Sequence, residues 1–167
     1  VGDDFQIIEN QLDKEVEKLR PLIEEKVISW DGNEIQEILK EILIQKKLTL
    51  SSAESCTGGE LARLITSVSG SSNYFLGGII PYDYHQKISI LGVSEKTISE
   101  KTVVSAEVAQ EMSLGGQKLF KTDISIATTG VSGPNSDTFN NEIGTVFYSI
   151  RVKNFEITNR LFLPHLE

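Results

Sequence analysis

From Leu48 onward, short aliphatic and β-branched runs alternate with stretches whose apolar residues recur every three or four positions, and this alternation most restricts the fold. Strand patterning falls near residues 48–53, 75–82, 123–128, 143–152 and 155–162. Helical patterning falls near 57–67, 84–91 and 105–120. Strands interleaved with helices form a sheet that buries both faces, so a three-layer α/β/α sandwich is expected. The last two runs, Ile143 to Val152 and Phe155 to Leu163, are joined only by Lys153 and Asn154. So short a link makes that pair antiparallel and the sheet mixed.

The first part of the chain reads differently. Phe5, Ile8, Leu12, Val16, Leu19 and Ile23 follow the spacing of an amphipathic helix over residues 4–28, which Pro21 is expected to break or restart. The stripe is too short for several heptads, so packing on its own domain or on a missing neighbour fits better than a dimerising coiled coil. Val27 to Trp30 reads as extended, and Asp31, Gly32 and Asn33 as turn and cap chemistry. A second helix carries Ile35, Ile38, Leu39, Ile42 and Leu43 and ends at Lys46 and Lys47. The expected organisation is an N-terminal helical linker segment, residues 1–30, the tail of a preceding region, followed by a domain over 31–167.

Bulk properties exclude several function classes. A length of 167 residues with 39% hydrophobic content supports one domain with an ordinary core. No apolar run approaches the ~20 residues that cross a bilayer, and the acidic start lacks a signal peptide's basic and apolar regions. A cytoplasmic protein with no membrane partner is expected. A single cysteine, Cys56, with only His85 and His165 as imidazoles, gives neither a disulfide framework nor a zinc cluster. No metal or cofactor is expected. The net charge of −8, without clustered Lys and Arg, argues against nucleic acid as the main partner.

Chemistry concentrates at Ala53-Glu54-Ser55-Cys56-Thr57-Gly58-Gly59, directly after a predicted strand and before the helical run Leu61, Ala62, Leu64 and Ile65. A strand turning into a helix there would present Ser55 beside unpaired amides, where a nucleophile and an oxyanion could both be served. A hydroxyl N-cap with glycines for tight packing explains the segment equally well. Neither histidine sits in a triad context, so a nucleophilic serine would need a lysine base whose pKa is lowered by burial or nearby positive potential. Lys87 is the candidate, on the first turns of a helix beside a strand end, although a lysine so placed is usually a solvated surface residue. Ser67 to Ser72 and Thr128 to Pro134 are small, hydroxyl-rich loops suited to phosphate or ribose, or simply to turns. Cys56 as a thiol nucleophile lacks an imidazole partner and reads as well as a small buried residue.

Taken together, AESCTGG at 53–59, SVSGSSNYFLGG at 67–78, Tyr82 with Lys87 five residues on, ILGV at 90–93, VVSAEVAQEM at 103–112, TTGVSGP at 128–134 and IGTVFYSI at 143–150 form an ordered set. In order and spacing this set resembles the C-terminal domain of the CinA competence and damage-inducible family, which also occurs alone as a bacterial nicotinamide mononucleotide deamidase. The resemblance spans roughly residues 34–163. It implies a metal-free amidohydrolase of pyridine nucleotide salvage that converts nicotinamide mononucleotide to nicotinate mononucleotide and ammonia. Ser55 would be the nucleophile, Lys87 the general base and Tyr82 an active-site partner. Ser72 and Thr129, with Cys56, Thr57, Gly58 and Gly130, would contact substrate, the amides of Cys56 or Thr57 meeting the oxyanion. A homo-oligomer, and fusion to an N-terminal molybdopterin-binding-like domain, are also implied. The alternative is a catalytically silent nucleotide-binding or interaction module of a larger protein.

The chain departs from the family pattern locally. Tyr82-Asp83-Tyr84 stands where Tyr-Ser-Asn is common, and Asp83 is expected to raise the pKa of Lys87. Asn135-Ser136-Asp137 follows Pro134 in place of Asp-Gly-Gly, and Asn141-Glu142 precedes Ile143 where the family has Lys-Pro. The family's Gly-Asp-Arg segment and final helix do not follow the last strand, which leaves Arg160 and Arg63 as basic residues to consider for phosphate.

Overall fold

The computed structural model describes residues 2–30, 32–134, 136 and 141–163; Asp31, Asn135, Asp137 and His165, named above, lie outside them. The chain divides between Ile38 and Leu39 into two compact units. In the first, α1 runs over Gly2–Ile23 and a single 3-10 turn follows at Glu24–Lys26. Pro21 lies inside α1 and does not restart it, the helix ending two residues later. Arg20 stacks its guanidinium 4.7 Å from the centre of the Trp30 ring.

The second unit is built on five strands: β1 (Leu50–Glu54), β2 (Phe75–Ile79), β3 (Ile124–Gly130), β4 (Thr145–Val152) and β5 (Phe155–Phe162). Their order is β2-β1-β3-β4-β5, with β2, β1 and β3 parallel and β4 and β5 antiparallel to their neighbours, so the sheet is mixed as expected. Alternate side chains of one strand face opposite layers. Leu50, Ile124 and Ile126 meet Leu43 of α2 (Ile35–Lys46) and Ile65 of α3 (Glu60–Thr66). Ala53 and Ala127 meet Leu91 of α4 (Tyr84–Leu91) and Val108 and Met112 of α6 (Ala106–Phe120) on the other face. Burying each such large apolar side chain stabilises the fold by about 1.5–3 kcal/mol.

A seven-residue helix, α5 (Glu95–Lys101), is absent from the sequence expectation. It carries one apolar residue, Ile98, and therefore no periodic stripe. Ile98 packs against the cluster around Leu91 and Val108, and polar contacts add to it: Ser94 Oγ accepts from the Thr97 amide, and the Glu111 carboxylate of α6 accepts from the Ser94 amide and the Thr97 hydroxyl. Among the described residues no helix is long and apolar enough to cross a membrane.

Chain path places the crevice. The chain leaves β1 through α3 to β2 on one side, then crosses back through α4, α5 and α6 to β3 on the other. The carboxyl ends of β1 and β3 thus flank a topological switch point, where open α/β sheets leave room for ligands.

Candidate active site

At that switch point lies a cavity of about 480 Å³, lined by Ser55 and Cys56 after β1, Tyr82 to Tyr84 and Lys87 around the start of α4, Val103 and Val104 before α6, and Thr129 to Gly133 after β3. β2 ends at Ile79, earlier than the expected Tyr82. Proline has no amide to continue a ladder, and the chain leaves the sheet with the carbonyls of Pro81 and Tyr82 free to accept elsewhere.

Both turn to Lys87. Its Nζ donates to Pro81 O at 2.6 Å and Tyr82 O at 3.3 Å, and lies 2.9 Å from Ser55 Oγ. The residue is only 2% exposed, against the solvated lysine that its position in sequence suggested. Loss of hydration disfavours the ammonium and pulls its pKa down to about 8, while Cys56 and Asp83 act in the opposite direction without offsetting burial. Asp83 therefore has the expected sign and the smaller effect. A neutral amine has two N–H donors and one lone pair. With two backbone carbonyls accepting the donors, the lone pair is left for the Ser55 hydroxyl. The arrangement can take a proton from Ser55 Oγ and hold it.

Sequence reasoning overlooked Glu54. Its carboxylate is 1% exposed and accepts from the amides of Gly59, Leu61 and Ala62 and the hydroxyls of Ser52 and Thr57. The start of α3 is thus occupied by a built-in anion, the preferred charge at a helix N-terminus. Two expectations are corrected together. Ser55 is not the N-cap of α3, a position held by Gly59, and the amides opening that helix are not left for a substrate. The readable signal was an acidic side chain just before a helical run, which favours negative charge in its first turn.

The turn explains the glycines. Gly58 and Gly59 have φ of +59° and +98°, left-handed values that other residues adopt at a cost, and a Cβ on Gly59 would come within 2.8 Å of Ile80 Cδ1. Gly58 does not line the cavity, nor does Thr57, whose hydroxyl donates to Glu54 and pairs with Thr128. Ser72 is also elsewhere: it lies exposed on the 3-10 turn Ser71–Asn73 before β2, at the end of the parallel strands opposite Ser55.

The remaining candidates converge. Tyr82 lines the mouth with a 75% exposed ring. Thr129 is buried and its hydroxyl donates to Val103 O at 2.8 Å, fastening the segment before α6 to β3. Gly130 permits close packing, since a Cβ there would lie 2.7 Å from Thr145 O and 3.0 Å from Cys56 Sγ. The Cys56 thiol is half-buried, and burial pushes its pKa up, away from the thiolate. Arg63 is paired with Glu60 through two hydrogen bonds, Arg160 donates to Thr145 Oγ1, and neither lines the cavity.

Known proteins are similar to this chain in sequence and fold. A "CinA-like protein" of Flavobacterium psychrophilum is 47% identical over 150 residues, which cover 89% of this chain and 36% of that protein. A "putative competence-damage inducible protein" of Caldicellulosiruptor saccharolyticus is 40% identical over 91% of this chain and 37% of its own length. The chain thus spans little more than a third of these relatives. A crystal structure of a competence-damaged protein (CinA) superfamily member from Escherichia coli superimposes with a TM-score of 0.75 at 31% identity, covering 77% of this chain and 74% of that one. Residues 32–165 match the family model described as the CinA C-terminal domain, and the chain belongs to that family.

Proposed function

We propose that this domain is a nicotinamide-nucleotide amidase that hydrolyses nicotinamide mononucleotide to nicotinate mononucleotide and ammonia through Ser55 and Lys87. The observation that carries this reading is the 2.9 Å approach of a buried lysine, with a pKa near 8, to a serine hydroxyl lining a cavity. Neutral Lys87 accepts the Ser55 proton as Oγ bonds to the carboxamide carbon. The resulting oxyanion forms beside Cys56, which lines the cavity next to Ser55 and whose backbone amide is the donor we assign to it. Collapse breaks the C–N bond, Lys87 returns the proton to departing ammonia, and an ester on Ser55 remains. Water then adds to that ester with Lys87 again accepting a proton, releasing nicotinate mononucleotide and restoring the serine. Tyr82, Thr129 and Gly130, which line the cavity, border the substrate.

The setting we assign is pyridine nucleotide salvage in the cytoplasm, in a homo-oligomer whose protomers carry a preceding molybdopterin-binding-like domain. The family resemblance and the much greater length of the relatives support it. Ammonia release from nicotinamide mononucleotide is the test. Activity is expected in the wild type and in Cys56→Ala, and is expected to fall by at least ~100-fold in Ser55→Ala and in Lys87→Ala. Tight nucleotide binding without turnover would favour a silent binding module, and activity surviving both dyad substitutions would overturn the mechanism.

A further inference from the structure

The side chains of three consecutive residues in the cavity lining take no part in the bond-making steps above. Tyr82, Asp83 and Tyr84 all line the cavity, with Tyr82 75% and Tyr84 44% exposed. Among the described residues, Asp83 is the only acidic group in that lining, and the only cation, Lys87, is buried against Ser55. Asp83 shares the cavity lining with Ser55 and Lys87, and its charge acts on the Lys87 amine. Its Oδ1 accepts from the His85 amide and meets His85 Nδ1 at 2.9 Å. These bonds hold the carboxyl below the usual carboxylate range. The lining also holds three apolar side chains, Val103, Val104 and Val131.

We propose that Asp83, with the rings of Tyr82 and Tyr84, selects amides carried on a cationic aromatic ring, the N-substituted pyridinium class, over neutral aromatic amides of the same shape. The proposal rests on the amidase reading. A pyridinium beside a carboxylate and two tyrosine faces gains charge attraction and cation–π contact, neither of which a neutral ring receives. Because the Asp83 side chain is 60% exposed, the expected discrimination is modest, about two- to fivefold.

The test crosses two enzymes with two substrates. Nicotinamide mononucleotide is compared with its neutral C-nucleotide isostere, which bears a 3-carbamoylphenyl ring, in the wild type and in Asp83→Asn and Asp83→Ser. Both replacements are good N-cap residues, so the start of α4 is kept. Any change in the Lys87 pKa affects the free enzyme alike for both compounds and cancels in the ratio of kcat/KM values. If the isostere turns over too slowly to follow, its inhibition constant against the nucleotide supplies the comparison. The ratio should fall about two- to fivefold in both variants at low salt, with a smaller change at high salt. A ratio unchanged in both variants overturns the selection and leaves the amidase reading standing. If the wild type turns over neither compound and binds both equally, the amidase reading and the selection fall together.

Discussion

Lys87→Met should separate the stability of this fold from its chemistry. In the folded protein the lysine pKa drops from 10.5 to about 8, which corresponds to roughly 3 kcal/mol of penalty on the charged form. Below the folded pKa both states hold the proton and the whole penalty is present. Between about 8 and 10.5 the unfolded chain keeps a proton that the folded chain has lost, so stability rises with pH, and above 10.5 the penalty is gone. Methionine fills a similar volume without charge, but it leaves Pro81 O and Tyr82 O without their donor, at about 1 kcal/mol each. Near pH 7 the variant should therefore equal the wild type or exceed it by about 1 kcal/mol, while losing activity. The sharper quantity is the change in that difference. Urea unfolding of both proteins from about pH 7 to about pH 10 should show the wild type gaining about 2–3 kcal/mol relative to Lys87→Met. In parallel, kcat/KM should climb to a plateau with an apparent pKa near 8, since only about a tenth of the lysine is neutral at pH 7. A stability difference that stays constant across this range would refute the argument that burial depresses the Lys87 pKa.

The remaining predictions concern the frame around the dyad. Glu54→Ala should cost about 3–5 kcal/mol in chemical denaturation, because three amides and two hydroxyls lose a buried acceptor; Glu54→Gln should cost less, since its amide oxygen still accepts. Gly115→Ala would put a methyl about 2.1 Å from Leu91 O, so α4 must move off α6, and a loss of about 2–4 kcal/mol should lower the Tm by several degrees. A stability near wild type in either Glu54→Ala or Gly115→Ala would refute the corresponding contact.

Much of this was written in the order of the residues. Period-two and period-3.6 patterning marked all five strands, and the two-residue link at Lys153 and Asn154 made β4 and β5 antiparallel, because these are local consequences of side-chain direction and chain reach. The ordered motifs likewise marked Ser55 and Lys87 as a pair. Their meeting across 32 residues of sequence depended on packing. β1 and β2 had to lie parallel, β2 had to end before Pro81, and the first turn of α4 had to point its fourth residue inward before a lysine could lose its water and its usual pKa. Packing also decided the smaller corrections. Glu54 took the amides of α3 that seemed open to substrate, Glu111 fixed a helix with no apolar stripe, and the strand direction carried Ser72 to the far end of the sheet. Local pattern governs which segments become strands and helices; desolvation and hydrogen-bond competition arise only once those segments are packed, and they set what Ser55 and Lys87 can do.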